Sequence, residues 1–481
     1  MSDSIPNFPN HSQIAEPELL FHPFRLDDRH RHPLLGLLEF GPYSRSTINT
    51  VLDPIRVAVI APHGGLQAVR NLLAEFSQQH SPRERRNYLP TFPGFSRVFG
   101  LNLVAASIQH ELPPDLDSRV ASASAPHQVL GEALSRAFNA VQNSRTEFDV
   151  LAIYLPDRWE RGFWGPKGDS FDLHDFLKAV AAARGTPTQI INENSALSYN
   201  CRCSVMWRLG IALYCKAGGV PWKLAGTDAD SAFVGLSYAI RDAESERPKF
   251  VTCCSQVFDS EGSGLEFVAY DTDEIRVERD NPFLSRNQMR KVMARSLALY
   301  QRQHAGRAPA RVVIHKSTEF KDDEIEGCFD AWRASSGLEL IQVQQDSGWR
   351  GVLLDPPRQG SGDRKGTPAA YPCERGSFVP LDGLNVLLWT QGNAPSAALD
   401  GRAYYKEGKG IPAPLLLKRF AGHGAWDQAC QDVLGLSKMN WNNDYLYDRL
   451  PVTMAYAQVL AQVIKRMPSV LPHPYQFRLF M

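Results

Sequence analysis

His174, Lys178, Gln189 and Lys216 are of the types that grip a phosphate: an imidazole, two ammonium groups and an amide able to supply a neutral donor. His174 and Lys178 stand four apart in a stretch with helical spacing, so they share a helix face and can converge on one anion. Gln189 follows just past the next turn, at the start of a β-branched run. Lys216 falls in the last turn of a second helical stretch, where the helix dipole favours a cation with or without a ligand. Taken singly, each residue has an ordinary structural explanation, and a lone histidine such as His174 is more often a surface residue than a ligand.

Punctuation and periodicity define the elements that must position these residues. Ser170 or Asp172 can cap a helix near 173–184, Gly185 can end it, and Pro187 prevents its continuation. The second helix, near 204–217, can be capped by Ser204 and ends at Gly218-Gly219. Upstream, the run Val57-Ala-Val-Ile60, a turn at Ala61-Pro-His-Gly-Gly65 and a helical stretch at 66–76 form a β-turn-α unit, and further strand-like runs begin at Phe148 and Thr188. That alternation predicts an open parallel sheet, a Rossmann-like domain over about 50–200. It contains neither G-x-G-x-x-G nor G-x-x-x-x-G-K-[ST], so a dinucleotide or P-loop site is not supported. Beyond it, strands at 232–240, 250–258 and 265–270, a helix at about 285–304 and a strand at 311–315 follow the order of an RNase H-like domain. The first 50 residues are rich in proline and histidine. Their hydrophobic phrase Pro33-Leu-Leu-Gly-Leu-Leu-Glu-Phe-Gly-Pro42 is expected to form a strand or two in an extended arm.

A composition of 43% hydrophobic and 22% charged residues over 481 positions is that of a globular chain with two or three domains. Lysine plus arginine equals aspartate plus glutamate at 52 each, so a phosphate-binding surface must be local and balanced by acidic surface elsewhere. No stretch approaches the roughly 20 apolar residues that cross a bilayer, and the start, MSDSIPNFPNHSQ, is polar rather than secretory; a cytoplasmic location without membrane contact is expected. The eight cysteines lack paired zinc-finger spacing and read as buried thiols. The run Pro82-Arg-Glu-Arg-Arg86 reads as a solvated turn.

The joint spacing His174-x3-Lys178-x10-Gln189, followed by Lys216 in Ile211-Ala-Leu-Tyr-Cys-Lys-Ala-Gly-Gly-Val-Pro-Trp222, resembles the MID pocket that holds a guide's 5′ phosphate in Argonaute proteins. The family commonly has tyrosine at the first position; histidine here leaves the preferred 5′ nucleotide open. Gly218-Gly-Val-Pro-Trp-Lys-Leu224 resembles the MID-to-PIWI junction. Leu436-Ser-Lys-Met-Asn-Trp-Asn-Asn443 and Leu450-Pro-Val-Thr-Met-Ala-Tyr-Ala457 resemble the closing segment of PIWI, so the likeness runs from about 150 to 481. It implies an α/β chain of three parts: a short N-terminal arm (1–50), a Rossmann-like MID domain (51–203) and an RNase H-like PIWI domain (204–481). It also implies that Mg²⁺ joins the guide phosphate to the terminal carboxylate of Met481, at the end of the apolar segment Tyr475-Gln-Phe-Arg-Leu-Phe-Met481.

An active PIWI domain cuts with two metal ions held by carboxylates. Where the family has its first aspartate, after a Phe-Ile-Gly-Ile-type strand, the phrase Phe233-Val-Gly-Leu-Ser237 carries Ser237. The second should end the strand Val312-Val-Ile-His-Lys-Ser317, where Lys316 and Ser317 stand, and the last follows a Tyr-Ala pair and corresponds to Gln458. Asp228, Asp230, Asp259 and Glu261 remain nearby as loop residues. The resemblance therefore implies a chain that is not itself an enzyme. With no room for N and PAZ domains, it resembles the short class. There the MID–PIWI chain forms a heterodimer with an APAZ-bearing effector, sirtuin-like, TIR or nuclease. A guide RNA then recognises single-stranded plasmid or phage DNA in prokaryotic immunity. Two rivals stand beside this reading: an active guide-directed endonuclease, disfavoured by Ser237 and Gln458, and a Rossmann-like metabolite-binding protein, disfavoured by the missing glycine fingerprint.

Overall fold

The computed structural model describes residues 10–46, 51, 53–167, 171–226, 230–241, 249–258, 265–272, 275–278, 281–355, 366–399, 404–405, 410–467 and 474–481. A first sheet has four parallel strands, β1 (Ile55–Ala61), β2 (Leu103–Glu111), β3 (Val150–Leu155) and β4 (Thr188–Asn192), in the order β2-β1-β3-β4. Helices α1 (Leu66–Glu75), α2 (Pro126–Gln142) and α3 (Leu173–Ala182) lie in the connections, and α4 (Arg202–Lys216) follows. Helices cover both faces, so the central strands are apolar, β1 from Val57 onward and β3 throughout; every residue of β3 is buried. Side chains still alternate between two cores. Val57 and Val59 enter one with Leu72, Phe76 and Trp207, while Ala58 and Ile60 enter the other with Leu134, Phe138 and Leu177.

The second sheet has ten strands. β5 (Ser231–Arg241), β6 (Lys249–Phe258) and β7 (Leu265–Thr272) form an antiparallel meander. After α5 (Arg286–Gln303), β8 (Arg311–Lys316) lies parallel to β5, and after α6 (Asp322–Ala331), β9 (Gly337–Gln344) lies parallel to β8. β10 (Ser377–Pro380), β11 (Asn385–Leu388) and β12 (Leu415–Ala421) extend it past β9. Helices α7 (Trp426–Leu436) and α8 (Val452–Ile464) precede β13 (Tyr475–Gln476), which pairs with β7 at the other end. Alternation again splits the strands between two cores: Ala232, Val234, Val312 and Ile314 meet Met289 and Met293 of α5, whereas Phe233 and Val313 share a core with Leu460 and Ile464 of α8. That latter core runs on through α4 into the first sheet.

The arm departs from expectation. Pro33–Phe40 is an α-helix, not a strand. His32 caps it, its Nδ1 accepting from the backbone N–H groups of Leu34 (3.2 Å) and Leu35 (3.3 Å), and proline suits the first helical position. Gly41 (φ +77°) ends it, and Gly36 lets the Phe21 ring approach to where a Cβ would stand 2.1 Å away. A short apolar run has no periodicity that separates strand from helix; the cap and the tertiary contact decide. The arm is also sewn to the body, Leu19–Leu20 pairing with Lys223–Leu224 and Ser12–Gln13 extending the long sheet beside β10.

Buried Glu16 anchors the arm by bridging Arg375 (2.9 Å) and Lys438 (2.8 Å). Burial by itself pushes its carboxyl pKa up; the two cations outweigh that and hold it below its ordinary 4.5. Such a group stabilises the fold above its unfolded pKa and loses that contribution as pH falls through the folded one. Glu16→Ala is expected to cost roughly 3–5 kcal/mol at pH 7 by stranding two buried cations. Urea unfolding measures it, and an unshifted midpoint would contradict this account of the arm.

Candidate nucleic-acid interface

The helix α3 begins where Asp172 caps it, its carboxylate accepting from the backbone N–H of Asp175 at 3.1 Å; the alternative cap, Ser170, lies outside the described residues. Gly185 (φ +63°) turns the chain beyond the helix, and Pro187 leads directly into β4. Helix α4 starts at Arg202, before the expected position, with no side-chain cap. Ser204 therefore sits inside the first turn, and its hydroxyl instead accepts from the Arg85 guanidinium at 2.8 Å. Arg85 also pairs with buried Asp444 at 2.7 Å, so this member of the expected solvated turn is a structural tie. α4 runs unbroken across the 203/204 division drawn from the sequence and is almost wholly buried between the two sheets.

Lys178 of α3, Gln189 of β4, Lys216 of α4 and Met481 converge. The Lys178 ammonium donates to the Thr188 carbonyl at 2.7 Å and to the main-chain oxygen of Met481. Lys216 donates to Gln189 Oε1, and Gln189 Nε2 donates to the Ile190 carbonyl at 2.9 Å. Both lysines are 1% exposed, and Leu479, Phe480 and Met481 are tucked in beside them. Among the described residues neither lysine has a carboxylate side chain as partner. Burial lowers the Lys178 pKa to about 7, contact with Lys216 opposing it, and burial drives Lys216 well below its ordinary value, with the Lys178 charge adding to the effect. An anion placed against them would let both amines keep their protons.

His174 is not in that cluster. It sits in the first turn of α3 with its side chain 57% exposed, lining an adjoining cavity of about 360 Å³ with Asp157, Trp164, Asp172 and Asn192. The cavity opens at the C-terminal ends of β3 and β4, where open parallel sheets bind their ligands. Ligand atoms of Asp172, His174 and Asp175 lie within 4.8 Å of one another, but the Asp172 carboxylate is already committed as the helix cap. Sequence reasoning missed Asp157, Trp164 and Asn192, because they come from the connection after β3 and from the end of β4 with no shared spacing.

In the long sheet, β8 and β5 pair in parallel with Lys316 opposite Leu236, so Ser317 and Ser237 follow at the same end. Helix α8, which carries Gln458, packs across β5 and β6. Lys316 is buried among the rings of Tyr238, Phe283 and Phe320 and pairs with Glu324 at 2.7 Å. Glu324 also accepts from the backbone N–H of Leu284 at 3.1 Å, so this carboxylate is fully engaged. Asp230 lies at the far end of β5, its carbonyl accepting from Arg311 N at 3.1 Å; seven residues of strand separate it from Ser237 by roughly 23 Å. Asp228, Asp259 and Glu261 lie outside the described residues. Among the described residues, no group of three metal-ligating side chains stands at this end of the sheet.

Neither a family model nor a curated protein matches the sequence. Solved structures do match in three dimensions. Clostridium butyricum Argonaute bound to a guide DNA and a 19-mer target DNA superposes with a TM-score of 0.65 at 15% identity, over 98% of this chain and 55% of that one. The fold is that of the MID–PIWI half of Argonaute proteins. Aquifex aeolicus Argonaute (TM-score 0.60, 15% identity, 98% of this chain and 57% of that one) and Drosophila Piwi (0.59, 14%, 98% and 56%) agree. The chain thus spans little more than half the length of these structures. The four-stranded sheet with its helices has the Rossmann-like form expected of the MID part, and the ten-stranded sheet the RNase H-like order expected of the PIWI part.

The MID lysines have a measurable cost. Between about 7 and the ordinary lysine value of 10.5, the unfolded chain binds more protons at Lys178 than the folded one. Stability therefore rises with pH across that window and carries the full penalty below it. In nucleic-acid-free protein at pH 6, Lys178→Met is expected to raise stability by about 1–4 kcal/mol, the gain shrinking toward pH 10. A lower urea midpoint for the variant at pH 6 would refute the buried-charge reading.

Proposed function

We propose that this chain captures the 5′-phosphorylated end of a short guide RNA in its MID pocket and displays the guide for pairing with single-stranded target DNA. The observation that carries the reading is the burial of Lys178 and Lys216 together, with Gln189 between strand and helix and, among the described residues, no carboxylate side chain against either amine. A terminal phosphate carries about −1.5 to −2 charges at pH 7 and accepts several charge-assisted hydrogen bonds, so one such group satisfies both cations. His174, beside Trp164 in the adjoining cavity, is placed to meet the first nucleoside rather than the phosphate. Sequence recognition then belongs to base pairing, not to the protein.

The pocket also fits a hard divalent ion such as Mg²⁺. The Met481 main-chain oxygen is an appropriate donor, and Mg²⁺ completes its shell from phosphate and water rather than from an all-protein cage. When bound, it would offset the charge that the Met481 terminal carboxylate adds beside the phosphate, while Lys178 and Lys216 hold and orient the terminal group.

We propose further that the PIWI part does not slice. Ser237, Ser317 and Gln458 offer no negative ligands, and two-metal chemistry requires them; the nearby carboxylate Glu324 is committed to Lys316. A guide-binding chain that does not cut must pass its signal to a second chain. An APAZ-bearing effector with an NADase or nuclease domain, acting in prokaryotic immunity, answers that requirement.

Three measurements bear on this. Wild-type protein should bind 5′-phosphorylated RNA on the order of a hundredfold more tightly than the same RNA with a 5′ hydroxyl, as expected for two hydrogen bonds to charged groups. Lys178→Ala combined with Lys216→Ala should erase that preference, and its survival would sink the pocket assignment. Incubation with guide, matched target and Mn²⁺ should leave the target whole; robust cleavage would restore an active nuclease.

A further inference from the structure

Helix α5 (Arg286–Gln303) carries Arg286, Arg290, Lys291, Arg295 and Arg302 and no acidic residue. In a chain whose 52 lysines and arginines are matched by 52 acids, that is a local excess of one sign. Arg286 is spent on Glu326 and Asp330 of α6, the latter at 2.7 Å. Arg290, Lys291, Arg295 and Arg302 are all exposed, and among the described residues Arg290, Lys291 and Arg302 have no ion pair. The set works against the helix that bears it. Arg286–Arg290 and Lys291–Arg295 are like-charge neighbours four apart, and no acidic residue in the first turn complements the helix dipole. A solvated helix face ordinarily alternates its charges, whereas a row of one sign along a helix is the footprint of a polyanion.

At about 3.6 residues per turn, Lys291, Arg295 and Arg302 line one flank of the outward face and Arg290 stands on the other. Between them run Asn287, Ala294, Ala298 and Gln301, short or uncharged side chains that let a strand come close. From Lys291 to Arg302 the row is about 16 Å long, which suits the repeated charges of a phosphodiester backbone and not a single small anion. Its place in the fold decides which strand. α5 packs through Met289 and Met293 on the face of the long sheet that shows Val234 and Ile314, whereas Met481 and α8 belong to the core on the opposite face, the one continuous with the MID sheet. The row therefore lies across the sheet from the pocket that anchors the guide. We propose that it holds the backbone of target DNA lying outside the guide-paired stretch. The proposal rests on the target-DNA reading above and adds a grip that is indifferent to sequence and to the guide's 5′ end.

The test uses the full chain loaded with 5′-phosphorylated guide RNA and single-stranded target DNAs that carry the matched stretch alone or with an unpaired oligothymidine flank on one side or the other. At low salt one of the flanks should tighten binding about tenfold. The triple variant Arg290→Gln, Lys291→Gln, Arg302→Gln should abolish that gain and flatten the slope of log affinity against log salt for the flanked target by about 2, as three lost single-strand phosphate contacts require. Affinity for the unflanked target and the preference for a 5′-phosphorylated guide should stay as in the wild type, and the thermal midpoint should not fall, because the changes relieve like-charge neighbours. Flanks that add nothing in the wild type, a gain that survives the triple variant, a gain from lengthening the guide instead of the target, or displacement of an acidic polypeptide but not of DNA by the variant would each overturn the proposal while leaving the phosphate pocket standing. Wild-type protein that binds no matched target, flanked or not, would instead remove the reading on which the proposal rests, and the proposal with it.

Discussion

An ammonium group closed inside a protein loses several kcal/mol of hydration that dipoles alone recover incompletely. Lys178 and Lys216 are in that position, held by the Thr188 carbonyl, the Met481 main-chain oxygen and the Gln189 amide. Bringing them together requires α3, β4, α4 and the last residues of the chain to meet at one point. That meeting is also where the core of the MID sheet becomes continuous with the core of the PIWI sheet. The pocket and the seam are thus one arrangement, which is why α4 is buried almost all the way round.

Elsewhere the same fold gives buried cations carboxylate partners. Glu16 neutralises Arg375 and Lys438, Asp444 neutralises Arg85, Glu324 neutralises Lys316, and Arg311 is shared by Glu339 and Asp432. Against those pairs, Lys178 and Lys216 have no carboxylate side chain among the described residues, and the acid group beside Lys178 is the chain terminus at Met481. The Lys316–Glu324 pair is the counterpart at the end of the long sheet. There, a buried cation is matched by a carboxylate, and Ser317 and Ser237 come next along the parallel strands β8 and β5.

Much of the architecture was legible in advance because its signals are local. Apolar runs at β1 and β3, the Asp172 cap and the Gly185-Thr-Pro187 stop all act within a few residues of themselves, and the helix and strands appear where they point. Local signals failed where a partner remote in sequence competed. Pro33–Phe40 coils because His32 caps it and Phe21 fills the space over Gly36; Ser204 gives up a capping role because Arg85 reaches it from 119 residues away. The cavity beside His174 was illegible for a related reason, since its walls come from the end of β3, the loop after it and the end of β4.

By itself, the sequence determined the strands and helices that carry the candidate residues, the types of residue available to bind a phosphate, and the hydroxyl and amide side chains at the three positions where carboxylates were expected, because each depends on composition or short-range spacing. Only the tertiary structure decided which of the four phosphate-type residues share a pocket. Equal spacing on a helix puts His174 and Lys178 on one face, yet burial differs along that face: His174 is left in an open first turn, and Lys178 is carried inside against Thr188 and Met481. Whether a buried ammonium group meets a carboxylate side chain depends on its surroundings, and the surroundings of a side chain are a property of the folded chain alone.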